Sequence, residues 1–182
     1  MVRRRLIEGA EALIVTRGLS DLTLAAVAAA AGVTKGGLLH HFPSKQALVR
    51  ALFADCLARL DAVIDAALAR DGAAHGRFTR AYLDSVVEAD ARTRDVWAAL
   101  SIALLSDPAL RADWSDWVRA RHVRHGATDD DPRLAAVRHA ADGLWLADLL
   151  HEEGGAAERA AVVAALRALT RAKDDDDKET RA

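Results

Sequence analysis

The chain has 182 residues, with 25 Lys and Arg against 27 Asp and Glu and a net charge of −2. That length suits one domain or two small ones, and an apolar share of 52% suffices for a core. No signal peptide and no run of about 20 uninterrupted apolar residues is present, so a membrane span is excluded and a cytoplasmic location is expected.

Alanine dominates, glycine and proline are sparse, and no strand-like alternation of β-branched residues occurs, which predicts an all-α fold. The single Cys56 excludes an intramolecular disulfide and falls on an apolar helical face between Leu52 and Leu60. Charge is unevenly spread. Residues 1–50 carry seven Lys and Arg against three acids, a net +4 that leaves −6 for the remainder. A basic head on an acidic body is the asymmetry of a DNA reader with a separate domain that does not touch DNA.

In chain order, Arg3-Arg4-Arg5 precedes a helix to about Arg17, with Leu6, Ala10, Leu13 and Ile14 on one stripe and Gly18 as its stop. The arginine run reads as a phosphate or minor-groove arm, or as a solvated end. Leu24, Val27, Ala28 and Ala31 then recur at i, i+3, i+4 and i+7, with Thr23 placed to cap and Gly32 placed to end the turn. Thr34 is a second N-cap, KGGLLHHF reads as a short helix, and Pro43 stops it. Two short helices joined by a glycine-containing turn form a helix-turn-helix, whose second helix can enter the major groove. Leu38 and Phe42 point one way, whereas Lys35, Gly36, Leu39 and His40 lie opposite with His41 beside them. Two glycines in a helix cost roughly 1 kcal/mol each against alanine, which suggests a steric demand such as close approach to phosphates.

Ser44 can cap a long helix from Lys45 to about Arg70, some 26 residues spanning about 39 Å. Lys45 in its first turn would place an ammonium near phosphates. The boundary between DNA head and body is expected inside this rod, which could carry a small tilt from one to the other. Gly72 to Gly76 is a break, and helices follow over about Arg77–Ala89 and Thr93–Leu105. Pro108 and Pro132 each read as the first position of a helix, the former carrying Trp114 and Trp117, with Gly126 to Asp131 as a polar loop between. The Pro132–His151 helix is apolar on two sides and so has two neighbours to pack against. A last helix spans about Ala156–Arg171, with Val162, Leu166 and Leu169. The terminal KDDDDKETRA is a charged tail expected to be disordered, and its DDDDK core resembles an enteropeptidase recognition site.

The stretch LTLAAVAAAAGVTKGGLLHHFPSKQALV resembles the DNA-binding signature of the TetR family of bacterial transcriptional regulators. The resemblance rests on the A-x-x-A-G-V-[ST]-K-G turn, the [YH]-F-x-[SN]-K element and the leading amphipathic helix. It implies that Thr23, Thr34, Lys35, Gly36, Gly37, Leu39, His40, His41 and Lys45 match positions that contact DNA or its phosphates. This chain departs from the family at Leu39, and at His41, where tyrosine is common. An aliphatic Leu39 loses a phenol hydroxyl, which points to contact with a thymine methyl or a sugar. The likeness covers about residues 1–50 strongly and is only architectural over the body.

The expected architecture is a three-helix DNA-binding head over residues 1–46, an effector-binding and dimerisation body over 47–173, and the tail over 174–182, about nine helices in all. Trp97, Trp114, Trp117 and Trp145 either fill volume in an alanine-rich core or line a pocket. A pocket would be lined by Trp97, Leu100, Leu104, Trp114, Trp117, His122 and Trp145, implying an apolar small-molecule effector. The resemblance implies a homodimer through the last two helices, with Ala136, Ala140, Gly143, Ala147, Leu150, Val162, Leu166 and Leu169 in the interface. It also implies a repressor that leaves a palindromic operator when ligand shifts the two heads. An activator, an effector-independent regulator, or a helical interaction module without DNA binding are the alternatives. His122 and His125, three apart, lack the Cys or paired Glu of a metal set, so no metal or cofactor is expected. No G-x-S-x-G or G-x-x-x-x-G-K-[ST] pattern occurs, so no enzyme is expected.

Overall fold

The computed structural model describes residues 1–150 and 155–171. Among them are nine helices and no strand: α1 (Val2–Arg17), α2 (Leu24–Ala30), α3 (Lys35–His41), α4 (Lys45–Arg70), α5 (Arg77–Val87), α6 (Ala91–Ser106), α7 (Pro108–Asp129), α8 (Pro132–Leu150) and α9 (Ala156–Leu169). No described helix is long and apolar enough to cross a membrane. The expectations on His151 and on the terminal tail from 172 lie outside the described residues.

The chain forms two units. One holds residues 1–59 and 90–116, and the other holds 60–89 and the chain from 117 onward. In the first, Thr23 Oγ1 accepts from the Ala26 N–H and Thr34 Oγ1 from the Gly37 N–H, both at 3.1 Å, so each short helix starts on a hydroxyl cap. Gly32 closes α2 at φ 62°, a left-handed turn that an L side chain resists. The head core is Leu6, Ala10, Ile14, Leu22, Val27, Leu38 and Phe42 inside α1–α3, continued by Leu48, Leu52 and Phe53 of α4, all buried. Glu11 is buried as well. Its carboxylate takes Arg59 Nη2 of α4 and Arg92 Nε of α6, each at 2.9 Å, so the charge is paired rather than stranded. Cys56 is a core residue, and burial pushes its thiol up to about 11, which keeps it protonated and unreactive.

In the second unit α5 packs against α8 and α9, and α7 reaches its N-terminus. The interhelical break at Gly72–Gly76 is clasped by Arg80. Its guanidinium donates to Asp71 Oδ2 at 2.8 Å and to the carbonyls of His75, Ala73 and Thr170. Gly76 has φ 69°, and a Cβ there would stand 2.5 Å from the Thr170 carbonyl oxygen, so only glycine fits.

One expected loop is helix instead. α7 runs unbroken through Gly126 to Asp129, because the bonds of its last turn outweigh the roughly 1 kcal/mol that glycine costs there. Those bonds centre on Asp129, which is buried, not a solvated loop residue. Its Oδ1 accepts from the Thr79 N–H and hydroxyl (2.8 and 2.6 Å), and its Oδ2 from the Phe78 N–H and Thr128 hydroxyl (3.2 and 2.7 Å). Asp129 therefore caps α5 from another helix, where the residue before α5, Gly76, has no side chain to do so. Asp131 caps its own helix by accepting from the Arg133 N–H at 2.8 Å.

Candidate nucleic-acid interface and ligand-binding body

α3 carries its two faces as its residue spacing requires. Leu38 is fully buried and Phe42 nearly so, which fixes the helix against α1 and α2. Lys35, Gly36, Leu39, His40 and His41 are exposed, and Gly37 is half-buried. Leu39 is 39% exposed, an aliphatic side chain with no core to fill. The glycines differ in kind. A Cβ on Gly36 would meet nothing within 4 Å, whereas one on Gly37 would stand 3.3 Å from Thr34 Oγ1, the helix cap. The fold thus accounts for Gly37 but makes no demand on Gly36.

Thr23 and Thr34 are exposed and spend an acceptor on their caps, which leaves each hydroxyl proton free to donate. Lys45 departs from its expected place. Its ammonium is turned into the head, donating to the carbonyls of Leu19 at 2.9 Å and Ser20 at 3.3 Å, and so ties the α1–α2 turn to α4. The arginine run is also engaged inside the head. Arg3 lies 5.4 Å from the Phe42 ring centroid, Arg4 pairs with Glu8, and Arg5 donates to the Ala31 carbonyl. Arg50 holds a two-pronged pair to Asp113 of α7 at 2.6 and 2.7 Å.

The seven residues expected to line an effector pocket fall in two places. Trp97, Leu100 and Leu104 of α6 and Trp114 of α7 belong to the first unit. Trp97 stands edge-on between Phe53 at 5.8 Å and Trp114 at 6.3 Å, and Leu100 is fully buried. Trp117, His122 and Trp145 belong to the second. There Trp117 Nε1 donates to Asp61 Oδ1 at 3.0 Å, and Arg121 lies 5.2 Å over the indole while forming a two-pronged pair with the same carboxylate. His122 is exposed on the face of α7 that carries Asp129. Burial, with Arg138 and then His139, holds its imidazole below the usual histidine range. His125 is stacked flat on Phe78 at 4.6 Å rather than paired with His122 around an ion.

A second polar set links α5, α7 and α8, and reading the residues one at a time missed it. Arg138 Nη1 donates to Thr79 Oγ1 at 2.7 Å, and Tyr82 donates its hydroxyl proton to Asp142 Oδ1 at 2.5 Å. Burial raises the Asp142 carboxyl and also raises the Tyr82 phenol. Charged residues in a helix read as solvated, and nothing in their spacing separates Arg138 from Arg133, which is exposed.

Among the expected interface positions, Ala136, Gly143, Leu150, Val162 and Leu169 are exposed, and Ala140 and Ala147 are half-buried. Leu166 is a correction. It is only 8% exposed, because α9 turns Val163, Leu166 and Thr170 inward and leaves Val162 and Leu169 outside. Leu146, 54% exposed on α8, belongs to the outward set and was not expected. A groove of about 630 Å³ runs along α9 beside Val87, between Ala160, Ala164 and Arg167.

Comparison with known proteins agrees with this geometry. A model of bacterial regulatory proteins of the tetR family matches residues 6–52, and one of the tetracyclin repressor-like C-terminal domain matches residues 76–171, more than half of the chain. The HTH-type transcriptional regulator BetI 2 of Chromohalobacter salexigens is 28% identical over 169 residues, covering 84% of this chain and 79% of that protein. A solved structure of a TetR-family member from Streptomyces coelicolor superposes with a TM-score of 0.74 at 25% identity, over 94% of this chain and 99% of that one. The multidrug binding protein EbrR in complex with ethidium superposes with a TM-score of 0.72 at 25% identity, over 94% of this chain and 100% of that one. A DNA-reading head with hydroxyl-capped helices and an exposed α3, joined to a body that the C-terminal model matches, places this chain in the TetR family of bacterial transcriptional regulators.

Proposed function

We propose that this regulator is a homodimeric repressor that leaves a palindromic operator when a small effector binds its body. The observation that carries the DNA half is the exposed face of α3, where Lys35, Gly36, Leu39, His40 and His41 have no fold of their own to complete. Lys35 supplies phosphate or guanine contact, Gly36 lets the backbone approach, and Leu39 meets a thymine methyl. Thr23, Thr34 and Gly37 hold the register, and Lys45 acts mainly by fixing the turn it binds.

The head is residues 1–46 and the body 47–173 in this reading. Support for an effector comes from the EbrR structures, in which a relative of similar fold holds ethidium or imidazole. Trp97, Leu100, Leu104 and Trp114 form one candidate contact set, within the first unit, and Trp117, His122 and Trp145 form a separate one, within the second. The exposed apolar residues of α8 and α9, Leu146, Leu150, Val162 and Leu169, are the surface a second copy would cover. Two copies would present two α3 helices to half-sites about 34 Å or a little more apart. Effector would favour a body arrangement whose head spacing mismatches the operator, and DNA would weaken effector binding by the same factor.

The test is selection of bound duplexes from a random pool. The expected product is an inverted repeat whose half-sites lie about one helical turn apart, held by one dimer. A direct or single half-site bound by one chain would refute the dimeric reading.

A further inference from the structure

We propose that Arg138, with His122 beside it, is an anchor for the carboxylate of an aromatic acid, so that the effector is anionic rather than purely apolar. The inference rests on the reading that the body binds an effector, and it names that effector's class.

Arg138 is half-buried on α8, and its one hydrogen bond among the described residues goes to a hydroxyl, Thr79 Oγ1. Arg80, Arg121, Arg159 and Arg167 of the same unit each have a carboxylate within ion-pair reach; Arg138 has none among the described residues. Three acids stand near, Asp129, Asp130 and Asp142, and none is an ion-pair partner of Arg138 among the described residues. Each oxygen of Asp129 already accepts two hydrogen bonds, so Arg138 is bonded to Thr79 instead and feels Asp129 and the exposed Asp130 only as charges through space. Asp142, four residues on, accepts from the Tyr82 hydroxyl rather than from Arg138. Desolvation holds the Arg138 guanidinium below its ordinary range, the sign of a charge taken from water without full compensation.

The groups around it fit an incoming anion. His122 of α7 and His139 of α8 add imidazoles, and repulsion from Arg138 and His139 contributes, after desolvation, to lowering the His122 imidazole. A bound carboxylate would relieve that repulsion. A guanidinium fork takes a carboxylate through two parallel N–H bonds, a match that neither a neutral amide nor an ammonium reproduces. Trp145 lies on the same face of α8 as Arg138, seven residues on and so about 10 Å along the helix, where a flat ring can rest. A carboxylate on a fused aromatic body spans that interval.

The experiment is titration calorimetry of the full chain with 2-naphthoate, and with neutral 2-naphthamide as the control. Wild type is expected to bind the acid at one site per chain, at least about tenfold more tightly than the amide. Arg138→Gln should bind both alike, and Arg138→Lys should fall between, while both variants keep the wild-type melting temperature within a few degrees and bind operator DNA. No measurable naphthoate binding to wild type, or an acid preference kept in Arg138→Gln, would overturn the proposal. Operator titration of the same preparations separates the two readings. Naphthoate that binds through Arg138 without changing DNA affinity would support the site and sink effector release. DNA binding with no naphthoate binding would overturn the Arg138 site and leave the DNA-binding reading standing.

Discussion

Replacing Asp129 with alanine is expected to lower the unfolding free energy by about 3 kcal/mol, the cost of stranding buried donors that met one carboxylate. The donors are the N–H groups of Phe78 and Thr79 at the start of α5, together with the hydroxyls of Thr79 and Thr128. Gly76 offers no side chain as a substitute cap, and the site is closed to water, Thr79 being fully buried. For a chain of this size that loss corresponds to a fall in melting temperature of about 6–12 °C, readable by calorimetry. The neighbouring Asp130→Ala should change little, because Asp130 is exposed. Asp129→Asn should lie between, since its amide nitrogen cannot accept. A melting temperature unchanged in Asp129→Ala would contradict the assignment of this residue as the cap of α5.

The second large effect separates stability from recognition. Gly36→Ala puts a methyl group into open space at a helical position, so it should leave stability unchanged or raise it by up to about 1 kcal/mol. Operator affinity should nevertheless fall by about tenfold or more, because that methyl would stand between the backbone of α3 and the DNA it approaches. Gly37→Ala is the contrasting control. Its Cβ would stand 3.3 Å from Thr34 Oγ1 and should disturb the cap, so stability falls along with affinity. Operator affinity of Gly36→Ala equal to wild type would mean that this face does not seat against DNA.

The head was legible because every signal in it is local. Thr23 and Thr34 cap within three residues, Gly32 ends its own turn, and Leu38 and Phe42 are one helical turn apart. Recognition of the family followed from the same short stretch. The body resisted because its information is not local. Asp129 is one of three consecutive aspartates, and only the meeting of α7 with α5 tells it from Asp130 and Asp131. In α9 the alanine background allows two apolar stripes, one through Val162, Leu166 and Leu169 and one through Val163 and Leu166. Leu166 belongs to both, and packing against α5 and α8 chose the second. The tryptophans carry no register at all: whether Trp97 and Trp117 share a site depends on which unit each helix segment joins. Lys45 shows the opposite failure. A basic residue at a helix start near DNA reads as a phosphate contact, yet two carbonyls of the α1–α2 turn claim it.

Fluorescence anisotropy on the DNA upstream of the regulator's own gene decides whether the exposed face of α3 reads DNA. Wild type and Lys35→Ala would be titrated on that duplex and on a scrambled one across a salt series. The expected result is saturable binding preferring the upstream duplex and weakened steeply by salt, with a slope shallower by about one per lost phosphate contact in the variant. Equal binding to both duplexes, with a salt slope near zero and no effect of Lys35→Ala, would contradict it.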